Sequence, residues 1–301
     1  MINVYELQDS NKRRSAVVIA LFIVFVIVVG WIFARLFDYG PGAIGMALIF
    51  AGLMSFASYW WSDKIILTLS NARPADRRRD FHFFTVAENL AMAAQIPMPK
   101  LYVIEDSAPN AFATGRDPQH AVVCATTGLL QKLDRTELEG VIAHEISHIK
   151  NYDTRLMSVV TILVGMITLL SDWFLRGLGF ERRSREKEEG NLGVFVFLLG
   201  LFLALLSPLI AKLMQLALSR RREFLADASA VMLTRYPEGL AKALEKIAAN
   251  REPLEVANKA TAHLYIVNPL KNLHSGVGWF ANLFNTHPPV EERIRILREM
   301  R

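Results

Sequence analysis

The sequence predicts a mainly helical membrane protein with a small β-sheet, in which apolar helices anchor a water-exposed domain. Three observations predict this fold class. Hydrophobic residues make up 52% of the 301-residue chain, and the mean hydropathy of +0.26 is higher than soluble globular proteins usually show. The apolar residues are concentrated in four long segments. The polar remainder combines helical spacing with three short β-like runs.

The first two apolar segments predict an N-terminal anchor with two transmembrane helices at residues 1–62. Residues 15–34 are 20 consecutive residues without a charge, and residues 39–62 are 24 more. Either stretch is long enough, as a helix, to cross a hydrocarbon core of about 30 Å. The first follows three basic residues, as a signal peptide does, but it is too long and no cleavage site follows it. We therefore expect an uncleaved anchor.

Two further apolar segments interrupt the domain that we predict at residues 63–301, and they form a predicted helical hairpin at about 156–218. The third segment, between Arg155 and Asp172, has only 16 uncharged residues and is short for a crossing. The fourth segment, residues 190–211, has 22. We expect both segments to insert into the membrane, and a buried helical hairpin is the alternative.

Basic residues beside the first two segments predict which side of the membrane the polar domain faces. Three precede the first segment and five follow the second, whereas Arg35 is the one basic residue between the two segments. Because cytoplasmic flanks carry the excess of Lys and Arg, the N-terminus and residues 62–154 are expected in the cytoplasm. The loop after the third segment is also basic, although four crossings would place it outside. Full crossing by the third and fourth segments is therefore left open.

Charge and cysteine content narrow the partners and the kind of metal site. The net charge of +5 and the pI near 9.3 fit anionic lipid head groups better than nucleic acid. Basic and aromatic residues are not interleaved as they are in nucleic-acid surfaces, so membrane lipids are an expected partner and nucleic acid is not. The single Cys124 excludes an intrachain disulfide and a thiolate-rich zinc finger. Any zinc must be held by His and carboxylate side chains.

The polar remainder predicts several helices and strands. Helical spacing covers residues 81–96, 134–150, 237–250 and 289–300. The helix at 134–150 is expected to begin near Asp134 or Arg135, with acidic residues in its first turn. The β-like runs are Leu101–Ile104, Ala111–Thr114 and Ala121–Ala125.

The stretch from His144 to His148, with the sequence HEISH, has the spacing of a zinc site. Four residues apart on a helix, the two histidines differ by only about 40° in direction and lie roughly 6 Å apart along the axis. Both imidazoles can therefore reach one ion, with Glu145 beside its open position as a general base. A chance pair of surface histidines is the alternative, and composition alone gives such a match a probability of roughly 1%.

A catalytic zinc ion normally has three protein ligands, so one more must come from elsewhere in the chain. No third histidine follows His148 at short spacing, and Glu223 in the stretch SRRREFLADASA is the best candidate. Pairing of Glu223 with a neighbouring arginine is the alternative. Asp227 lies four residues on, where its carboxylate can accept a hydrogen bond from a ligating imidazole. The predicted cofactor is one Zn²⁺ per chain. Four histidines lack partner spacing and are interpreted as non-ligands: His82, His120, His263 and His274.

Several motifs, in this order, resemble the HtpX family of membrane-bound zinc peptidases, relatives of the CaaX prenyl proteases. After two apolar N-terminal segments come NAFATG (110–115), AVVCATTGLL (121–130), HEISHIKNYD (144–153), REFLADASA (222–230) and HPPVEERI (287–294). The resemblance covers nearly the whole chain. It implies a zincin-like domain of the gluzincin type, with Glu223 as the third ligand. It also implies that His287 and Arg293 lie close to the zinc and help to hold the oxyanion.

The same resemblance implies an activity and a location. We expect a zinc metalloendopeptidase in the cell (inner) membrane, with its active site facing the cytoplasm, in quality control of misfolded membrane-protein substrates. The expected substrate-binding residues are Asn110, Ala111, Phe112 and Ala113, since an extended peptide can add to an exposed strand edge. An ordinary turn is the alternative there. Asp153 closes the motif helix, either as a structural residue or as a brace for the site.

Other functions are also considered. The short chain and its four apolar segments argue against a CaaX-type processing protease. An intramembrane metallopeptidase is disfavoured because the zinc motif follows the charged stretch QKLDRTELEG. A non-catalytic membrane scaffold would bind no stoichiometric zinc.

Overall fold

The computed structural model describes residues 13–21, 23, 24, 27, 42–162, 220–250, 252, 254, 264–267 and 288–300. The fourth predicted apolar segment lies outside these residues, as do parts of the first and third. Helix α1, Gly42–Trp60, accounts for most of the second segment. In the described part of the chain, no helix combines the length and the apolar character needed to cross a membrane.

The polar part of the chain consists of helices around one small sheet. The helices are α2 (Ser62–Leu69), α3 (Phe81–Ala94), α4 (Thr127–Lys132), α5 (Arg135–Lys150), α6 (Arg220–Thr234), α7 (Pro237–Ala249) and α8 (Val290–Glu299). The strands are β1 (Arg73–Pro74), β2 (Lys100–Ile104), β3 (Ala111–Thr114) and β4 (Val122–Thr126). A short 3-10 turn covers Pro118–His120, and residues 153–162 are helical beyond α5.

The predicted helices and strands of the polar part are confirmed, with boundaries that shift by one or two residues. The helix predicted at 81–96 ends at Ala94, because Gln95 adopts the left-handed conformation with φ of 57°. Helices α2 and α4, strand β1 and the 3-10 turn were not predicted. The sequence could not show β1 because two residues are too few to display an alternating pattern.

The sheet has the strand order β1-β2-β4-β3, with β2 parallel to β4 and the outer pairs antiparallel. Among the described strands, β3 therefore lies at an edge of the sheet. Helix α5 packs against β3 and against α3, α6 and α7. This packing makes α5 the central element of the domain.

Helix α5 is almost completely buried, and its sequence explains why it begins and packs where it does. Asp134 caps the N-terminus by accepting from the backbone N–H of Glu137, and the Glu137 side chain accepts from the backbone N–H of Asp134 at 2.9 Å. This capping box satisfies two backbone donors that a helix start leaves exposed. Gly140 allows α7 to approach closely, because a Cβ there would lie 2.7 Å from the backbone nitrogen of Leu240.

Two arginines connect the polar domain to the end of α1. The guanidinium of Arg116, which follows β3, lies 4.8 Å from the centre of the Trp60 ring and donates to the Trp60 carbonyl at 3.2 Å. Arg155 lies 4.8 Å from the centre of the Tyr59 ring. Such cation–π contacts contribute about 0.5–1 kcal/mol at exposed sites. The apolar helix is thereby joined to both the sheet edge and the chain that follows α5.

Candidate metal centre

Helices α5 and α6 bring three potential metal ligands together. The nearest ligand atoms of His144, His148 and Glu223 all lie within 4.8 Å of one another, and all three residues are buried. The two Nε2 atoms are 3.1 Å apart. The Glu223 carboxylate oxygens lie 3.8 Å from Nε2 of His144 and 3.5 Å from Nε2 of His148. The fold therefore places the three predicted ligands around one point.

The separations of these atoms fit a zinc ion. Tetrahedral zinc with bonds of about 2.0–2.2 Å holds neighbouring ligand atoms roughly 3.3 Å apart. The observed separations of 3.1, 3.5 and 3.8 Å lie around this value. Two imidazole nitrogens and one carboxylate oxygen also form a ligand set that zinc prefers. The residues present are therefore suitable for zinc in both geometry and chemistry.

The His144 imidazole is oriented by Asp227, which lies on α6 one turn beyond Glu223. Nδ1 of His144 is 2.9 Å from Oδ1 of Asp227. We assign the proton to Nδ1, because a carboxylate accepts a hydrogen bond from it there. Nε2 then keeps its lone pair directed at Glu223 and His148. This is the arrangement that a histidine needs in order to bind a metal ion.

The His148 imidazole is oriented in the same way by Asp153. Nδ1 of His148 lies 3.1 Å from Oδ2 of Asp153. The other oxygen of Asp153 lies 3.5 Å from Nη1 of Arg222, which directly precedes Glu223. From the sequence, Asp153 was either a structural residue or a brace for the site, and Arg222 entered only as one of the arginines that could pair with Glu223. The position of Asp153 just after the motif helix was a signal that it could reach the site. The contact of Asp153 with Arg222 gave no such signal, because it joins distant parts of the chain.

Arg293 on α8 lies beside the metal centre, as the family resemblance implied. Its guanidinium binds Asp227 in a bidentate pair, with Nε to Oδ2 at 2.8 Å and Nη2 to Oδ1 at 2.7 Å. Nη1 donates to the carbonyl of Ile266 at 3.2 Å and lies 3.7 Å from a Glu223 oxygen. Arg293 is fully buried. In this conformation its donors are directed at Asp227 and Ile266, and an oxyanion role stays a prediction.

The charges of the buried cluster favour a divalent cation. The cluster contains four carboxylates and two guanidinium groups, from Glu145, Asp153, Glu223 and Asp227 and from Arg222 and Arg293. With both histidines neutral, its formal charge is −2. Isolated charges are costly to bury unless they are paired or coordinate a metal ion. A Zn²⁺ ion would bring the cluster to neutrality.

The protonation of the two histidines reflects their different surroundings when no metal is bound. Burial and the positive charge of Arg293 lower the pKa of His144 to about 4. Burial alone would also lower the pKa of His148, but the hydrogen bond with Asp153 and the charge of Glu223 raise it to about 9. Burial would raise the pKa of Asp227, and Arg293 and His144 outweigh that effect and hold it at about 2. The metal-free cluster has excess negative charge, and His148 therefore carries a proton at neutral pH.

Glu145 lies on α5 between the two histidines and is 3% exposed. Its negative charge contributes to the raised pKa values of His148 and Arg293, so the carboxylate lies within the same electrostatic cluster. A base in these surroundings is shielded from bulk solvent. The predicted general base is thus part of the cluster that holds the ligands.

Of the predicted substrate residues 110–113, Asn110 directly precedes the edge strand β3 and the other three begin it, and all four are buried. The Ala111 carbonyl accepts from the backbone N–H of Ile266 at 3.0 Å. The Asn110 side-chain amide donates to the carbonyl of Val267 at 2.9 Å. Residues 266 and 267 therefore cover the first part of this edge.

The remaining histidines are consistent with the sequence interpretation as far as they are described. His120 is partly exposed and pairs with Asp117 at 2.7 Å, and His82 is exposed. Neither belongs to the group of potential ligands found among the described residues. His263, His274 and His287 lie outside the described residues, so the predicted role of His287 stays a prediction.

Comparison with known proteins supports the family resemblance over nearly the full chain. The family model described as Peptidase family M48 matches residues 78–301. The Protease HtpX homolog of Dictyoglomus thermophilum is 48% identical, over 98% of this chain and 94% of its own. The homolog of Caldanaerobacter subterraneus is 46% identical over 98% and 97%, and that of Lactobacillus helveticus is 40% identical over 98% and 99%. The crystal structure of S. mikatae Ste24p matches at 20% identity with a TM-score of 0.49, covering 97% of this chain and 67% of that one.

Proposed function

This chain belongs to the HtpX proteases of peptidase family M48, and from that premise we propose that it is a membrane-bound zinc metalloendopeptidase. One observation carries the proposal. Three buried ligands converge from α5 and α6 in the geometry of a zinc site, with the general-base candidate Glu145 on the same helix.

The residues of this chain divide the chemistry of peptide hydrolysis among them. His144, His148 and Glu223 would hold the ion. When bound, zinc lowers the pKa of a coordinated water to about 7 and polarises the scissile carbonyl. Glu145 accepts the water proton and later delivers it to the leaving amine. Asp227 keeps the His144 imidazole oriented so that its Nε2 faces the metal position.

An extended substrate would add to the edge of β3. The Asn110 carbonyl accepts from the backbone N–H of Thr126 in β4, so alternation along the strand turns the backbone groups of Ala111 and Ala113 to the outer edge. Ile266 already pairs with Ala111. Ala113 is therefore the position at which a substrate main chain would pair, and neighbouring side chains would select the sequence.

The apolar segments and the relatives support a proposal for the location. We propose that the chain is anchored in the cell (inner) membrane with its active site facing the cytoplasm, and that it acts in quality control of misfolded membrane proteins. The charge-free segments at 15–34 and 39–62 and the basic residues beside them support this placement. A CaaX-type processing protease and a non-catalytic scaffold are the alternatives.

Zinc analysis and a protease assay test the proposal together. Purified full-length protein is expected to contain one zinc ion per chain and to cleave casein. A chelator should abolish cleavage, and added zinc should restore it. Cleavage that persists without metal would contradict the zinc mechanism. Protein with neither stoichiometric zinc nor cleavage would instead support a scaffold.

A further inference from the structure

Each of the two ligand histidines is hydrogen-bonded to an aspartate, and each aspartate forms an ion pair with an arginine. On one side Arg293 binds Asp227, which accepts from His144 at 2.9 Å. On the other side Arg222 lies 3.5 Å from Asp153, whose second oxygen accepts from His148 at 3.1 Å. We call the second arrangement, Arg222 with Asp153, the His148 brace. The family comparison and the zinc motif do not assign it a role.

The His148 brace is built into the interior of the protein. Asp153 is 2% exposed and Arg222 is 6% exposed. The chain reaches Asp153 through Tyr152, whose φ of 58° is in the left-handed region that residues other than glycine rarely adopt. Strained backbone of this kind concentrates at functional sites, where the surrounding structure maintains it. The turn after α5 places Asp153 against the His148 ring.

Helix α6 links the brace to the third ligand. Arg222 and Glu223 are consecutive residues, and Asp227 lies on the next turn of the same helix. When α6 packs against α5, it therefore brings the ligand Glu223 together with Arg222 of the His148 brace and with Asp227, the partner of His144. The geometry of both histidines depends on the position of this one helix.

We propose that Asp153 and Arg222 are positioning residues that fix the orientation and tautomer of His148 for metal binding. The proposal rests on the proposed zinc function. Asp153 holds the proton of His148 on Nδ1, which leaves the lone pair on Nε2 directed at the position of the metal ion. Arg222 holds the Asp153 carboxylate in place. The Arg222 contact of 3.5 Å is longer than that of Asp153 with His148, which predicts a smaller contribution.

Zinc affinity of the purified full-length protein, measured by competition with a chromogenic chelator, tests the proposal without relying on activity. Asp153→Leu should weaken zinc binding roughly 10- to 100-fold, as loss of partners behind metal ligands generally does. Asp153→Asn keeps an oxygen that can accept from Nδ1 and should recover much of the affinity. Arg222→Met should cause a smaller loss that Arg222→Lys largely reverses.

The visible spectrum of the Co²⁺-substituted protein provides a second readout, because it reports the coordination geometry. Asp153→Leu should change this spectrum. Asp134→Ala is the matched control at the opposite end of α5, since it removes a helix cap and no contact with the site. It should lower the melting temperature of the metal-free protein and leave zinc affinity and the Co²⁺ spectrum unchanged.

The results separate this proposal from the proposed function. Wild-type protein that binds no zinc would overturn the proposed function itself. Wild-type protein that binds zinc, with Asp153→Leu equal to it in affinity and Co²⁺ spectrum, would overturn the brace alone. If Asp153→Leu does not fold, Arg222→Met decides, and wild-type zinc affinity together with a wild-type Co²⁺ spectrum in that variant would overturn the brace.

Discussion

Glu145 is the residue at which metal binding and hydrolysis can be separated. Replacing its carboxylate by the amide in Glu145→Gln keeps the size of the side chain and removes the base. We expect one zinc ion per chain to remain and casein cleavage to fall by about 100-fold or more, the usual contribution of general base catalysis. Zinc content and initial cleavage rates of the same preparation measure both effects.

Glu139→Gln is the control for that change, since Glu139 lies on the same helix and pairs with Arg135 away from the metal centre. It should retain the wild-type rate. Full activity in Glu145→Gln would contradict the assigned mechanism. Loss of zinc in that variant would show instead that the carboxylate helps to hold the ion.

Arg293 is the fully buried cation of the cluster, and its removal should mainly affect stability. Arg293→Met leaves the Asp227 carboxylate buried without its bidentate partner. Breaking a buried ion pair on one side costs about 3–5 kcal/mol. We expect a loss of that size in the free energy of unfolding of the metal-free protein, measured in denaturant.

Arg295→Met on the same helix provides the comparison, because Arg295 forms an exposed pair with Glu299 at 3.0 Å. Exposed pairs contribute about 0–1 kcal/mol. Equal losses for the two variants would show that the Arg293 pair contributes no more than a surface contact.

Single residues of the site were predictable where the motif is local. The spacing of His144 and His148 alone places both imidazoles on one helix face, and the structure brings them to 3.1 Å. The alternative for Glu223 was pairing with an adjacent arginine. The structure shows Arg222 beside Asp153 and Glu223 beside the two histidines. A sequence cannot show which distant residue a charge will face, so a bracing role for Asp153 was left open and its contact with Arg222 was not predicted.

At the scale of the element, α5 depends on the cap at its N-terminus. Asp134→Ala removes the side chain that accepts from the Glu137 backbone N–H at 2.9 Å. Loss of such a cap costs about 1 kcal/mol. We expect the free energy of unfolding to fall by that amount at neutral pH, while Thr136→Ala, which keeps the cap, should have a smaller effect.

The effect of Asp134→Ala should also depend on pH. Backbone and side-chain hydrogen bonds from Glu137 and Thr136 lower the pKa of Asp134 in the folded protein. A carboxylate whose pKa is lowered by folding stabilises the protein above its unfolded pKa of about 3.9. That contribution disappears as the pH falls through the lower folded value. The difference between wild type and variant should therefore shrink below about pH 4, and a constant difference would contradict the assigned cause.

Elements with strong local signals were predicted well, and the others show what a sequence lacks. The helix predicted at 134–150 has a cap, acidic residues in its first turn and regular apolar spacing, and it matches α5 closely. Strand β3 was predicted at its observed residues. The strand order was not predicted, because pairing of β2 with β4 depends on contacts between separate segments.

At the scale of the whole molecule, the metal centre is a product of the complete domain. Its ligands and their partners come from α5, the chain just after it, α6 and α8. Glu223 follows His148 only after a long intervening segment. The sequence predicted that the ligands come from two separate parts of the chain, because two histidines alone do not complete a zinc site. The exact partners required the packing of α6 and α8 against α5.

Because the ligands lie on separate helices, zinc binding should stabilise the whole domain. A ligand that binds only the folded state adds about 4 kcal/mol when its free concentration is a thousand times its dissociation constant. For a domain of this size that corresponds to a rise of roughly 10 °C in Tm. Thermal unfolding of the full-length protein with chelator and with excess zinc measures this rise. Glu223→Ala should largely remove it, whereas the exposed Glu291→Ala should retain it. A Glu223→Ala protein with the full zinc-dependent rise would show that α6 does not supply the third ligand, even if the two histidines bind the ion.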